Sequence, residues 1–296
     1  MQVTAYRMGW GALCIVLFSC SIEEKGQDDL HPTLRVGLLR DQSLEEMRNR
    51  YEPFFEYTSG ETGIPHELIF PETHAELLEL FQAGHIDLAY FCGFTFLRLE
   101  TAGHAVPLVA RDVDFRFTSS FLVRRGERAR EVAEFQDRPF SFGPRFSTSG
   151  YFMPRYFLKE KGIKPEVFFS KVVYSDRHDQ IAYWVRDGLV DLGVVKTQML
   201  KQMYRDGRLS QEKVRVLWQT PPYPDNVWTL QASMDESVRI KIQDAFLGLS
   251  QQKKRHAQIL SNLGAGSFLP VTRADFALLR SIVEEMDRES QAKLER

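Results

Sequence analysis

The order of apolar and polar segments predicts an α/β chain folded into two lobes. From Leu34 to Phe91 strand-like and helix-like runs alternate, and a second alternation of the same kind runs from Phe140 to Trp218. Pro221-Pro222-Tyr223-Pro224 then breaks all periodicity before a strand and two helices close the chain. Alternating strands and helices build a sheet covered by helices on its faces. Two such units and a C-terminal return imply two lobes joined by hinge strands, placed near Val123 and Asn226. The first lobe is then residues 33–122 and 226–296, and the second is residues 123–225.

Each element has a local signature. Leu34 to Leu39 reads as a first strand. Ser43-x-x-Glu46 is a capping box that opens a helix to about Tyr57, which Pro53 interrupts or kinks, and Thr58 to Gly63 reads as a turn. Leu68-Ile69-Phe70 is a second strand, Thr73-x-x-Glu76 caps a second helix ending at Gly84, and Ile86 to Phe91 is a third strand. A helix at Phe94–Thr101 and strands at Val106–Ala110 and Ser119–Val123 lead into the charged run Arg124–Arg130, read as a solvated surface. The second unit takes its strand from Phe140 to Phe142 and its helix from Ser147 to Lys161. Val172–Tyr174, Val190–Val195 and Val214–Trp218 are its further strands, with helices at Ser175–Asp187 and Thr197–Tyr204. Val227–Gln231 is the return strand, and helices at Asp235–Arg255 and Thr272–Leu294 finish the chain.

The N-terminus reads as a targeting segment. Arg7 precedes an apolar run from Met8 to Phe18, too short to span a bilayer and suited to a signal peptide over residues 1–19. Leu17-Phe18-Ser19-Cys20 resembles a lipobox, which implies lipidation of Cys20 as the first mature residue. Phe18 stands where a small residue is usual, so plain secretion stays open as the alternative. The polar stretch 20–32 is then a lipidated tether to a membrane surface. Cys92 is left as the single free cysteine of the mature protein beside the lipidated Cys20, which excludes an internal disulfide.

Composition narrows the function classes. The 296 residues are 43% hydrophobic and 26% charged, with a net charge of −2, so no basic nucleic-acid surface is indicated. The sequence has no Gly-x-Ser-x-Gly elbow, Walker loop, His-Glu-x-x-His or Cys-x-x-Cys, and Gly264-Ala265-Gly266 lacks the third glycine of a dinucleotide fingerprint. A binding protein without cofactor or metal is expected, rather than an enzyme.

The most informative segment is Ser147-Thr148-Ser149-Gly150, which follows a strand and opens an apolar-periodic helix. Three hydroxyls and the unpaired amides of a helix start gather there, an arrangement that favours an anion. Ser and Thr are also ordinary N-caps, so the segment alone does not decide. Tyr90 falls at a strand end, where open α/β sheets bind ligands, and Thr95 begins the next helix as a second helix-start hydroxyl facing the first.

With these pieces the chain resembles the phosphonate/phosphite/phosphate-type solute-binding proteins of bacterial ABC importers. The resemblance rests on Leu34-Arg35-Val36-Gly37, the run Ala83 to Tyr90, Ser147 to Tyr151, and His178 ahead of Val185 to Gly193. It continues through Pro222-Tyr223-Pro224 and through Phe268 to Val271 before Asp275-Phe276. It implies the two-lobed periplasmic-binding-protein fold, each lobe a mixed sheet flanked by helices. It also implies capture of a tetrahedral oxyanion between the lobes, held by Ser147, Thr148, Ser149 and Gly150, for delivery to an ABC permease. His178 sits where the family often places an anion-contacting histidine, and an anion there would favour its protonated form. Arg40, Asp41, Gln42 and His74 depart from the family pattern and suggest a more polar first-lobe wall. No acidic pair of the kind that grips a ligand amine is evident. Cys92, at a strand–helix junction facing the cleft, carries the alternative: a thiolate ligand for arsenite in a sensory protein that signals to a membrane histidine kinase.

Overall fold

The structure, a computed structural model, describes residues 33–40 and 43–294, with side chains to residue 288. The expected signal peptide, tether and Cys20 lie outside the described residues, as do Asp41 and Gln42.

Strands β1 (Leu34–Gly37), β2 (His66–Ile69) and β3 (Leu88–Phe91) are linked by α1 (Leu44–Thr62) and α2 (His74–Gln82). After α3 (Gly93–Thr101) and β4 (Ala105–Arg111) the chain leaves this first sheet through a tight turn at Asp112–Arg116. The second sheet begins with β5 (Ser119–Arg124) and β6 (Pro139–Phe142). It continues through α4 (Met153–Glu160), the one-turn α5 (Pro165–Phe168), β7 (Lys171–Tyr174) and α6 (His178–Asp187). β8 (Leu192–Lys196), α7 (Thr197–Arg205) and β9 (Val214–Gln219) complete it. The chain then returns to the first sheet as β10 (Val227–Gln231), α8 (Glu236–Leu247), α9 (Lys254–Asn262), β11 (Phe268–Pro270) and α10 (Ala277–Leu294).

The first sheet has the order β11-β4-β10-β3-β1-β2 and the second β7-β6-β8-β5-β9. Each is mixed: β3-β1-β2 and β7-β6-β8 are parallel, while β10 and β5 run against their neighbours. The two-lobed α/β architecture expected from the alternation is thus present. Two crossings join the lobes, and they pair with one another, because the Phe117 and Tyr223 amides each donate to the other's carbonyl at 2.9 and 3.0 Å. The second crossing runs to Asn226, and the first covers 112–118, ahead of Val123, which lies within β5, fully buried and paired with Arg215.

Three further expectations differ. Helix α1 runs unbroken through Pro53 to Thr62. Proline removes one intrahelical bond, but the carbonyl it leaves is that of Asn49, on an exposed residue. Thr58 and Thr62 hydroxyls reinforce the next turns by donating to the carbonyls four residues back, and Gly63 ends the helix in the left-handed region. The expected helix from Asp235 to Arg255 is two helices, α8 and α9. The expected helix at Ser147 opens as a wide π-turn over Thr148–Phe152 before α4. Among the described residues no helix is long and apolar enough to cross a membrane.

The first-lobe core lies between the sheet and α1, α8 and α9. Phe54 is fully buried at its centre, with ring centroids 4.5 Å from Phe246, 5.4 Å from Phe268 and 5.8 Å from Trp228. Phe54→Ala is expected to lower unfolding free energy by about 3–5 kcal/mol. A urea denaturation series measures the loss, and a change below 1 kcal/mol would contradict this packing.

Candidate functional site

The parallel strands of both sheets end at the interlobe boundary, where open α/β sheets form binding crevices. On the second-lobe side, β6 ends at Phe142 and the chain passes through Gly143 to Ser147. The Ser147 hydroxyl accepts from the Gly150 amide at 2.9 Å, and its carbonyl accepts from both Tyr151 and Phe152, at 3.0 and 3.2 Å. This double acceptance is what widens the first turn. The Thr148 and Ser149 amides precede the first amide that donates to a helix carbonyl, that of Tyr151, so they belong to the group a helix leaves unpaired at its start. Ser147, Thr148, Ser149 and Gly150 are all buried.

His178 is the first residue of α6, and its ring lies over the nest. A Cβ on Gly150 would come within 2.7 Å of His178 Cε1, so glycine is required for this approach. The Lys196 backbone N–H donates to Nδ1 at 3.3 Å, which leaves the proton on Nε2, 3.4 Å from the Ser147 hydroxyl oxygen. Burial, then the charge of Lys196 and the presence of His74, push the His178 pKa down to about 3. In the ligand-free protein the imidazole is therefore a neutral N–H donor, whereas the sequence expectation of a protonated ring concerns the anion-bound form. Its Nδ1 cannot carry a proton while it accepts from a backbone amide.

Lys196 escaped the sequence reading. It ends β8 immediately before α7, and the strand-end rule that picked Tyr90 would have found it. Its ammonium lies 5.4 Å from the centroid of the Phe117 ring at the crossing. Among the described residues it makes no ion pair. Its charge reaches His74 at the start of α2, whose pKa falls to about 4 through burial first and Lys196 second. Lys196, and His74 from the first lobe, thus lie near enough to act on His178, whose ring sits against the nest.

The first-lobe side is organised differently from the facing hydroxyl expected. The Gly93 amide donates to Asp225 Oδ1 at 3.2 Å and the Phe94 amide to Thr148 Oγ1 at 2.9 Å. The Thr148 hydroxyl in turn donates to Asp225. The α3 N-terminus is therefore already filled by a carboxylate from the second crossing and a hydroxyl from the other lobe. Burial raises the Asp225 pKa to about 6 against the opposing pull of Lys196 and these donors. Gly93 has no room for a side chain, since a Cβ would meet Leu279 at 2.6 Å and the Asp225 carbonyl at 2.8 Å.

The remaining expected residues are otherwise engaged. Thr95 is buried with its hydroxyl 3.3 Å from Cys92 Sγ, and that thiol donates across the lobes to the Phe146 carbonyl at 3.1 Å. The Tyr90 hydroxyl donates to Asp114 Oδ2 at 2.8 Å, beside Arg111, whose guanidinium grips the same carboxylate. Arg40 is exposed and paired with Glu72 at 2.8 Å. Among the described residues no cluster of His, Cys, Asp or Glu could hold a metal ion.

Two mixed α/β lobes with a double crossing, and a buried donor set where their strand ends meet, define a two-lobed solute-binding protein. Residues 36–276 match the family described as ABC transporter, phosphonate, periplasmic substrate-binding protein, and the chain belongs to that family. A probable ABC transporter phosphite-binding protein of Prochlorococcus marinus is 24% identical over 86% of this chain and 90% of its own length. A phosphate-import protein of Mycolicibacterium smegmatis is 22% identical over 96% and 97%. Among solved structures, the Prochlorococcus marinus protein in complex with methylphosphonate superposes with a TM-score of 0.78 at 23% identity, covering 86% of this chain and 98% of that one. The family is one of periplasmic transport proteins, which favours import over the sensory alternative.

Two outcomes follow from this geometry. Gly150→Ala should displace the His178 ring and weaken oxyanion binding at least tenfold, measured by calorimetry. The pH dependence has a definite sign. His74 and His178 bind protons in the unfolded chain near the ordinary value of 6.5 but in the folded chain only near 4 and 3. Their contribution is present above 6.5 and lost as pH falls through that window. Asp225, with its pKa raised to about 6, opposes this with one proton in the lower part of the same range. The ligand-free protein should therefore lose stability between pH 6 and 4, and His178→Gln should reduce that slope by about one proton in urea titrations. An unchanged slope would contradict a buried neutral imidazole.

Proposed function

We propose that this chain captures a small tetrahedral oxyanion of the phosphonate, phosphite or phosphate class between its lobes and hands it to an ABC permease, without chemical turnover. The observation that supports this most is the His178 Nε2–H set against the Ser147–Gly150 helix start, with the Lys196 ammonium near enough for its charge to act on His178 and His74. Fixed amide, hydroxyl and imidazole donors match the oxygens of such an anion, and the ammonium supplies the balancing charge. The relatives named for phosphite binding and phosphate import agree with this ligand class. Within the site, Ser147, Thr148, Ser149 and Gly150 form the anion cradle, His178 and Lys196 complete it, and His74 closes it from the first lobe. Tyr90 and Thr95 act as framework behind the wall, Arg40 stands at the rim, and Cys92 serves as an interlobe contact.

Ser147→Ala combined with Thr148→Ala should weaken binding of methylphosphonate or phosphite at least tenfold, because the Ser147 hydroxyl donor is lost and the Thr148 hydroxyl no longer fixes the cradle against Asp225 and the Phe94 amide. Calorimetry on purified protein measures this, and an unchanged affinity would move the site elsewhere. A thermal-shift screen with phosphate, phosphite, methylphosphonate, sulfate and arsenite ranks the class, since a ligand of the native state raises the melting temperature by mass action. We further propose that Cys20 anchors the mature protein to a membrane by a lipid, on the strength of the apolar run and Leu17-Phe18-Ser19-Cys20 that precede the polar tether. Cys20→Ala should then shift the protein from the membrane fraction to the soluble one.

A further inference from the structure

We propose that Lys196 makes this cleft selective for oxyanions whose substituent carries no positive charge, so that it rejects aminoalkyl phosphonates in favour of uncharged or anionic ones. The inference rests on the oxyanion reading above and concerns the part of the ligand that reading leaves open.

The charges around the site carry it. Lys196 reaches the space from the end of β8, anchored by its own backbone N–H on His178 Nδ1 and with its ammonium above Phe117. It makes no ion pair among the described residues, and Asp225, which feels its charge, offsets it only from the second crossing. An ammonium on the ligand would need a carboxylate to receive it, and those nearby are committed elsewhere. Asp225 from the second crossing accepts from the Gly93 amide and the Thr148 hydroxyl and already feels Lys196. Asp114 is enclosed by Arg111 and the Tyr90 hydroxyl. Asp179 on α6 is paired with Arg177 at 2.6 Å. Asp176, before α6, is exposed to solvent at the rim, where its pull on a bound cation is screened.

The other titratable groups facing Lys196 are His74 from α2 and His178 from α6. Both are neutral near pH 7 and offer nothing to a cation that water does not. A ligand ammonium would thus enter a poorly hydrated space beside an unpaired lysine. Like charges at close range in such a place repel strongly, and discrimination of this kind is built by repulsion as much as by attraction. A carboxylate on the ligand would instead find the ammonium waiting.

The test is calorimetry at pH 7.5 with methylphosphonate, phosphonoacetate and 2-aminoethylphosphonate. The wild type should bind methylphosphonate at least tenfold more tightly than 2-aminoethylphosphonate, with phosphonoacetate not weaker than methylphosphonate. Lys196→Met should narrow the gap between methylphosphonate and the amine, and Lys196→Glu should reverse their order. Equal wild-type affinities for methylphosphonate and the amine would overturn the inference while leaving the oxyanion reading intact. So would a Lys196→Met variant that keeps its melting temperature and its wild-type preference. If the wild type binds none of the three phosphonates nor phosphite, the oxyanion reading itself fails and takes this inference with it. The wild-type comparison needs no variant, so a poorly folding Lys196→Glu leaves the proposal open to refutation.

Discussion

The α3 N-terminus is the constraint on which the rest of the site depends. Two helix starts face one another across the lobes, that of α3 and that of the π-turn before α4, and each presents unpaired amides and a positive dipole end. Left alone, they would compete for one anion. The chain removes the competition by giving α3 internal acceptors: Asp225 for the Gly93 amide and Thr148 Oγ1 for the Phe94 amide. The first-lobe helix is thereby satisfied, and the second-lobe helix is left to act on a ligand. The same arrangement explains why Gly93 admits no side chain and why Thr148, a residue of the proposed anion cradle, is also a contact between lobes.

Charge follows the same economy. A protonated histidine beside a lysine and a helix start would concentrate positive charge in a buried place before any ligand arrived, at a large desolvation cost. The backbone N–H of Lys196 prevents this by occupying His178 Nδ1. The ring is then a donor without a charge, and Lys196 is left as the formal cation facing the nest. Asp225 offsets that charge at a distance from the second crossing, and burial moves its pKa up to about 6 rather than down. Attraction for an anion therefore comes from one ammonium and fixed dipoles, which are worth more in a water-poor space than in bulk.

Much of this was legible in the sequence, and the reasons for the rest are physical. Capping boxes, turn glycines and strand periodicity marked nearly every element, because they are local features. The Ser147–Gly150 nest was legible for the same reason. What escaped notice depends on partners distant in sequence. The unpaired state of Lys196, the capping of α3 by Asp225 across 132 residues, and the engagement of Tyr90 by Asp114 are facts of packing that no local pattern encodes. Pro53 misled in the opposite direction. A rule about isolated helices marked a break, whereas burial of Tyr51, Phe54 and Phe55 against the sheet holds α1 together through the missing bond. The tautomer of His178 is likewise invisible locally, because an amide 18 residues away sets it.

The anion cradle also owes its shape to the hinge. Ser119, the first residue beyond the first crossing, donates its hydroxyl to the Ser149 carbonyl at 2.7 Å, so the Tyr223 hydroxyl, 2.6 Å away on the second crossing, is the donor to Ser119. The Ser149 carbonyl and the Gly150 amide belong to one peptide plane. Ser119 holds that plane by its oxygen and the Ser147 hydroxyl holds it by its N–H. The next plane is fixed likewise, with the Gly150 carbonyl accepting from Gly143 and the Tyr151 amide donating to Ser147. Two successive peptides are thus held at both ends, and the amides just before them, of Thr148 and Ser149, inherit a defined direction. Such a cradle gives up little conformational freedom when an anion arrives, which is the main way a rigid site gains affinity. Because the holding groups are Ser119 and Tyr223, residues at the two crossings set the orientation of the amides proposed to bind.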